Sequence, residues 1–393
     1  MARLNVFDGI RGVAAIMVVF SHSVLMFSPW LHNGVGLPSV YDNVIFNFPF
    51  KFFYNGSAAV GVFFVLSGMV LSFGCFSNNM DCNYMRDAAL KRYIRLGIPV
   101  FFAVLISFFM MKFGLFSLNV EVAKSLPLAS DFIFSPSLYS AIFDGVFGAI
   151  FLGGTSYNYV LWTISVEFFG SLMVYSTLAL FGRDRNILRF VSLFAFMFLS
   201  FYKNDFSIFY GLFMAGVFIS TFDLNTKSTL VTKITSLVIL SFGLYLMGYV
   251  YGSRSFEQVA SLLVYLERSG VHISWMLPLG LGAIMVIVSV FIDNSILAFL
   301  SRKPFQFIGK MSFSMYLLHP LTLAVVGPYV YFFTGRTLVG AVVTFVSVSI
   351  ITLLFSVIFY FLFDREAIRL SSEFSLFING LKKNTNFIRS ERA

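Results

Sequence analysis

The chain has 393 residues, of which 58% are hydrophobic and only 11% are charged. Soluble globular proteins carry about 25% charged residues, so this composition excludes a soluble fold and predicts an integral membrane protein. The formal net charge of +9 does not indicate nucleic-acid binding, because the distribution of the basic residues follows membrane topology.

An apolar run of about 17–25 residues can cross a bilayer as a helix. Such runs, with one shorter candidate at 189–201, predict an all-α, polytopic membrane helix bundle of about ten transmembrane helices, at 7–27, 57–75, 96–115, 159–181, 189–201, 206–221, 229–251, 272–292, 312–331 and 338–362. The segment 142–153 is predicted to be re-entrant or interfacial. No cleavage site follows the first run, which contains Arg11, so we expect this run to remain as an anchor.

The basic residues set the predicted orientation. If the N-terminus is cytoplasmic, 20 of the 27 Lys and Arg residues fall on the cytoplasmic side of the predicted helices. The seven on the other side are Lys51, Lys112, Lys124, Lys203, Arg254, Arg268 and Arg336. This bias favours both termini in the cytoplasm. We therefore predict a membrane domain over 1–363 and a basic cytoplasmic tail over 364–393, which we expect to lie against anionic lipid.

The first predicted helix contains the stretch "DGIRGVAAIMVVFSH". Arg11 and His22 are eleven residues apart, which places them on one helix face about 16 Å apart along the axis. Arg11 is then either a cytoplasmic anchor or a functional cation, and His22, deep in the membrane, is either a hydrogen-bonded structural residue or a general base. Asp8, one turn before Arg11, is interpreted as its salt-bridge partner.

The second and third helices add a packing motif and two arginines. Ser67 and Gly68 are small residues that favour close helix packing. Arg92 and Arg95, spaced i, i+3 at the start of the third helix, share a face on the predicted cytoplasmic side. They serve either as topology determinants or as a bidentate phosphate site.

Ionisable residues also occur within later helices, where each costs roughly 2.5–3.5 kcal/mol at the helix centre. Glu167 lies about two turns into the fourth helix, and we expect it to be paired or protonated; Trp162 and Tyr159 nearby fit an aromatic belt. Ser312, Tyr316 and His319 share one face of a later helix, and Pro320 frees a backbone carbonyl there.

The cysteines and histidines do not predict a metal site. Cys75 and Cys82 lie at the cytoplasmic end of the second helix, a reducing location, and their spacing fits no metal motif, so we interpret both as structural. The four histidines are widely scattered. We expect no metal and no tightly bound cofactor.

Five segments in order resemble the acyltransferase-3 family of integral membrane acyltransferases, which O-acylate sugars and cell-surface glycans in bacteria. They are "LNVFDGIRGVAAIMVVFSH", "GVFFVLSGMVLS", "LKRYIRLGIP", "LWTISVEFFG" and "IGKMSFSMYLLHP". Within them, Arg11 and His22 keep an R-x10-H spacing, and Arg92 and Arg95 form an R-x-x-R pair. Any one segment is weak, and the five together cover nearly the whole chain.

The resemblance implies transfer of an acyl group, usually acetyl, from cytoplasmic acyl-CoA to a hydroxyl of an extracytoplasmic or lipid-linked glycan, such as O-antigen, capsule or exopolysaccharide, at the bacterial inner membrane. Arg92 and Arg95 would bind the CoA phosphates and Arg11 would support the donor. His22 would act as base or accept the acyl group, with Glu167 as its partner or a second acid or base. An extended pantetheine arm would span the distance from Arg11 to His22.

The chain departs from the longer family members because we expect no C-terminal SGNH-type domain after the last helix. Acyl transfer is then completed in the membrane domain or handed to a separate protein. Two other functions stay open from the residues alone: a transporter for a small anion and a non-catalytic membrane scaffold. A transporter would move its substrate without consuming acyl-CoA, and a scaffold would function without His22.

Overall fold

Every regular element in the described part of the chain, residues 2–116, 126–223, 229–335 and 337–390, is helical in this computed structural model. The α-helices in chain order are α1 (Ala2–Phe27), α2 (Trp30–Asn33), α3 (Val40–Phe46), α4 (Gly56–Ser77), α5 (Cys82–Lys112), α6 (Leu138–Phe143), α7 (Trp162–Phe181), α8 (Arg185–Ser200), α9 (Ser207–Ser220), α10 (Leu230–Met247), α11 (Glu257–Arg268), α12 (Leu277–Ile292), α13 (Asn294–Leu300), α14 (Lys303–Phe333), α15 (Leu338–Phe359) and α16 (Arg365–Ser390). Short 3₁₀ turns cover Lys51–Tyr54, Ser130–Phe132 and Arg254–Phe256, and π-helical turns cover Asp144–Leu152 and Tyr360–Asp364.

The helices confirm an all-α, polytopic membrane bundle. Seven described helical segments are long and apolar enough to cross a bilayer, and the pair α12 and α13, bent by 101°, is either an eighth, broken span or a re-entrant loop. All ten predicted segments are helical, but α8 and α9 have only 16 and 14 residues. At 1.5 Å per residue they extend about 24 and 21 Å, less than the roughly 30 Å hydrocarbon core.

Several helix boundaries differ from the predicted ones for a common reason. The helix α5 begins at Cys82, where Asp81 accepts a hydrogen bond from the Asn83 N–H as an N-cap, and not near residue 96. The apolar run identifies only the part that lipid surrounds, whereas the helix extends beyond it through polar sequence. Arg92 and Arg95 are therefore in the interior of α5, so the expectation that they stand at the start of that helix was wrong.

The C-terminal region also differs from a simple tail. After the π-helical turn the chain continues as α16, which packs against α5. The segment 142–153 forms part of a short apolar helical stretch, Leu138–Leu152, packed on α5 and α7. Residues 117–125, which include Lys124, residues 224–228, Arg336 and residues 391–393 lie outside the described residues.

The centre of the bundle is the contact between α1 and α14, which is the most extensive in the molecule. Glycine permits this approach: a Cβ built on Gly309 would lie 2.0 Å from the Asp8 carbonyl oxygen. The helices α4 and α9 approach as closely, since a Cβ on Gly68 would lie 2.1 Å from the Phe213 carbonyl oxygen. The packing role predicted for Gly68 is confirmed.

At the opposite end of the bundle from Asp8, two irregular segments are held together by a buried lysine. The Lys51 side chain is fully buried, and its ammonium donates a hydrogen bond to the Phe46 carbonyl and lies 4.2 Å from the centre of the Phe46 ring. The Ser253 hydroxyl donates to the same carbonyl at 3.0 Å. Burial lowers the pKa of Lys51 from its usual 10.5 to about 7.

Candidate active site

A cleft of about 270 Å³ opens between α1, α4, α5, α7, α14 and the junction of α15 with α16. Its charged lining residues are four basic ones and three acidic ones: Arg11, Arg92, Arg95, Lys310, Asp8, Glu167 and Asp364. The beginnings of α1 and α16 meet at this cleft, so they lie at the same end of the bundle. The cleft carries an excess of positive charge.

The strongest polar contact in the cleft is the ion pair between Arg92 and Glu167. Their side chains are only 12% and 19% exposed. The Ser67 hydroxyl donates to both carboxylate oxygens of Glu167, at 3.0 and 3.1 Å. The Nε–H of Arg92 is buried and has no hydrogen-bond partner among the described residues, so one donor of this guanidinium is left unsatisfied.

The other cations of the cleft are less constrained. Arg11 pairs with Asp8 at a long distance of 3.9 Å, which confirms the predicted salt bridge. Arg95, one turn after Arg92, has an exposed side chain. Both α5 arginines line the cleft, which agrees with the helix face that their i, i+3 spacing predicts.

The cleft ends at a hydrogen-bonded tyrosine. The Tyr316 hydroxyl lies 2.7 Å from the Thr163 hydroxyl and donates to the Val160 carbonyl at 3.2 Å. Ser312, one turn earlier on α14, lines the wall of the cleft. Neither His22 nor His319 lines it, but the ring of Tyr316 lies next to that of His319, with 5.8 Å between centroids.

Beyond Tyr316, two histidines from α1 and α14 form a pair. The Nδ1 of His22 lies 2.8 Å from the Nε2 of His319, and the rings are stacked 9° from parallel. His319 is fully buried, whereas His22 is partly buried. The ring of Tyr159 stands edge-on to His22, with 5.2 Å between centroids. Ser312, Tyr316 and His319 are one turn apart on the same stretch of α14. Ser312 and Tyr316 line the cleft, whereas His319 belongs to the histidine pair.

Two predicted associations take a different form in the structure. The resemblance implied that Glu167 is either the partner of His22 or a second acid or base; its contacts are Arg92 and Ser67, and His22 contacts His319, so the structure does not pair Glu167 with His22. Trp162 packs on the rings of Phe206 and Phe209, at centroid distances of 5.4 and 5.2 Å, and not in the cleft. Its role is packing of α7 on the adjacent helix.

Three residues of the site were not singled out from the sequence. Lys310 and Asp364 line the cleft, and Tyr159 contacts His22 with its hydroxyl buried and unpartnered among the described residues. Lys310, two residues before Ser312, and Asp364, just after the last apolar run, gave no distinct signal, because charged residues are common where a span ends. Tyr159 gave none either, because a tyrosine at a span end is usual.

The fold and the site define a polytopic membrane protein with a cationic cleft and a separate histidine pair. The sequence matches the family model for acyltransferase-3, described as an acyltransferase domain, over residues 4–361. The match covers nearly the whole chain, so the chain belongs to the acyltransferase-3 family and is an integral membrane acyltransferase. No curated protein and no solved structure matches it.

Proposed function

We propose that this protein transfers an acyl group, in the first instance acetyl, from cytoplasmic acyl-CoA to a hydroxyl of a cell-surface glycan across the bacterial inner membrane. One observation carries the proposal: the single helix α1 contributes Arg11 to the cationic cleft and His22 to the histidine pair. Eleven residues of helix separate them by about 16 Å, so donor binding and chemistry occupy different depths of one rigid element.

The donor binds through its phosphates in the cleft. Arg11, Arg95 and Lys310 present positive charge there, and the unsatisfied Nε–H of Arg92 adds a donor. Guanidinium groups bind phosphate by paired charge-assisted hydrogen bonds. The volume of about 270 Å³ is below the roughly 300–1,000 Å³ of pockets that enclose a drug-sized ligand. Part of a CoA molecule therefore stays in the cytoplasm, and its thioester arm enters the cleft.

The chemistry takes place at the imidazole of His22. In one route, His22 takes the proton of the acceptor hydroxyl while that oxygen attacks the thioester carbonyl and the C–S bond breaks, and the departing thiolate is then protonated. In the other route, His22 itself attacks the carbonyl, CoA leaves, and the acyl-imidazole passes its acyl group to the hydroxyl. Both routes require the thioester to pass Tyr316, whose hydroxyl must release Thr163 and Val160.

Donor binding is tested with purified protein in liposomes. The substitution Arg95→Gln should raise the KM for acetyl-CoA about 10- to 100-fold, because a hydrogen bond to a charged group contributes about 1.5–3 kcal/mol. Arg86→Gln on the same helix is the matched control, since Arg86 pairs with Asp87 and does not line the cleft. Equal effects of the two substitutions would contradict the phosphate site.

Acyl transfer is tested on cells. Mass spectrometry of surface glycans with and without the gene should show acyl esters only when the gene is present, and His22→Ala should remove them while the protein stays folded in the membrane. Wild-type acylation in His22→Ala, or uptake of an anion without consumption of acyl-CoA, would refute the proposal.

The two routes at His22 are separated by mixing the protein with acetyl-CoA in the absence of acceptor. An acyl-histidine route releases one equivalent of CoA in a burst. A general-base route releases none until a glycan is added.

A further inference from the structure

His319 is positioned to control which nitrogen of His22 carries a proton. Its ring is fully buried: Nδ1 faces the Met315 carbonyl oxygen, 3.2 Å away, the ring also bonds to the Tyr316 backbone, and Nε2 faces Nδ1 of His22. Two neutral imidazoles have two tautomers each, and the hydrogen bonds decide between them.

The first step is fixed by the Met315 carbonyl. A carbonyl oxygen can only accept a hydrogen bond, so Nδ1 of His319 carries the proton. A fully buried imidazolium would need a compensating anion, and the hydrogen-bond partners of the His319 ring are backbone carbonyls and a second imidazole. His319 is therefore neutral, and its Nε2 presents a lone pair to α1.

The second step follows from the 2.8 Å contact. Two nitrogens at that distance share one hydrogen, and Nε2 of His319 has none to give. The hydrogen is that of His22 Nδ1, which leaves the lone pair on His22 Nε2. His22 is the partly exposed member of the pair, so its basic nitrogen is on the accessible ring.

We infer that His319 is a positioning residue that holds His22 as the Nδ1–H tautomer, with Nε2 as the reacting nitrogen. The inference rests on the proposed function, because it names the atom at which acyl transfer occurs. Proton acceptance and acyl acceptance both need a lone pair on that atom.

The surrounding structure holds His319 at this angle. Pro320 has no N–H, so the carbonyl one turn before it lacks its helical donor. The Asn158 amide donates to the neighbouring Leu317 carbonyl at 2.8 Å, and the Tyr316 hydroxyl bonds to α7 and the segment before it. Both contacts hold α14 within the turn that precedes the histidine.

The tautomers are measured by ¹⁵N NMR of the full-length protein labelled at histidine, without any substrate. The chain has four histidines, and the variants His32→Gln and His272→Gln assign two of the signals. We expect both His22 and His319 to show a protonated Nδ1 and an unprotonated Nε2 at neutral pH. A protonated Nε2 on His22, or a doubly protonated His319, overturns the inference whatever the activity.

Activity gives an independent readout. His319→Leu removes the acceptor and should lower kcat about 10- to 100-fold with the KM for acetyl-CoA unchanged. His319→Gln places an amide oxygen near the former Nε2 and should stay within about tenfold of wild type. Thr322→Val is the matched control, because Thr322 is buried one turn further along α14 and bonds to backbone carbonyls and Thr352.

The outcomes separate the two proposals. If His319→Leu and His319→Gln lose activity equally, or if Thr322→Val loses as much activity as His319→Leu, His319 acts only through packing. Either result overturns the positioning role. If the NMR shows the expected tautomers but no variant or wild-type protein consumes acyl-CoA, the proposed function fails and the tautomer assignment stands.

Discussion

The ion pair between Arg92 and Glu167 should contribute far more to stability than an ordinary surface pair. Both side chains are mostly buried, and Ser67 donates to the same carboxylate. Removing one partner leaves the other charge buried and uncompensated, which costs about 3–5 kcal/mol. We expect the lower end of this range, because the pair borders an open cleft.

A double-mutant cycle measures the interaction. Arg92→Ala and Glu167→Ala should each destabilise the folded protein by about 3 kcal/mol, and the double variant by less than their sum, with a coupling free energy of about 2–3 kcal/mol. The assay is reversible unfolding in mixed micelles, followed by tryptophan fluorescence. Ligand-free protein is used so that CoA binding does not enter the measurement.

The chain provides its own control pair. Arg369 and Glu366 are 2.8 Å apart, with side chains 64% and 31% exposed. Exposed pairs of this kind contribute about 0.3–0.5 kcal/mol. A coupling energy for Arg92 and Glu167 no larger than that of the control pair would refute the assignment of Glu167 as the buried counter-ion of the cleft.

Three further predictions follow from single residues. Gly309→Ala should destabilise the protein by about 1–3 kcal/mol in thermal unfolding, because α1 and α14 must separate to admit the methyl group. Gly61→Ala is the control, since a Cβ there makes only ordinary contacts. Equal changes in melting temperature for the two variants would contradict the close approach of α1 and α14. Between pH 7 and 10.5 the unfolded chain holds a proton on Lys51 that the folded chain lacks, so stability should rise with pH, by up to about 1.4 kcal/mol per unit. Lys51→Met should abolish that rise, and an unchanged slope would exclude Lys51 as its source. A membrane-impermeant maleimide should label exposed Cys82 but not buried Cys75, and only from the cytoplasmic face; labelling from the other face would reverse the predicted topology.

The apolar runs and the charge pattern were sufficient to predict the helical bundle, because lipid requires long apolar helices and basic residues mark their cytoplasmic ends. The helix face shared by Ser312, Tyr316 and His319 was predictable for the same reason, since helical periodicity is local. The ends of the helices could not be predicted in this way, because α5 and α14 continue through polar sequence that an apolar run does not reveal.

Partners across helices could not be predicted. The contacts of Glu167 with Arg92 and of His22 with His319 depend on which helices are neighbours. The members of the first pair are 75 positions apart in the sequence and those of the second are 297 apart, so helical periodicity does not relate them. The expectation that Glu167 would be either the partner of His22 or a second acid or base rested on the family resemblance, which does not say which helices are neighbours. The lateral order of α1, α5, α7 and α14 decides the pairing, and it places the carboxylate at the arginines.

The hydrogen bonds of the Tyr316 hydroxyl also bear on proton leakage through the bundle. A continuous polar path from the cationic cleft to the histidines would be a proton wire across much of the bilayer, and each charge crossing a potential of 100 mV dissipates about 2.3 kcal/mol. In this structure the Tyr316 hydroxyl bonds to Thr163 and Val160, and among the described residues no hydrogen bond continues from it to the histidines. If the protein passes an acyl group across the membrane as proposed, the donor's arm must fill the space of Tyr316 whenever that side chain is displaced, so that no open proton path forms.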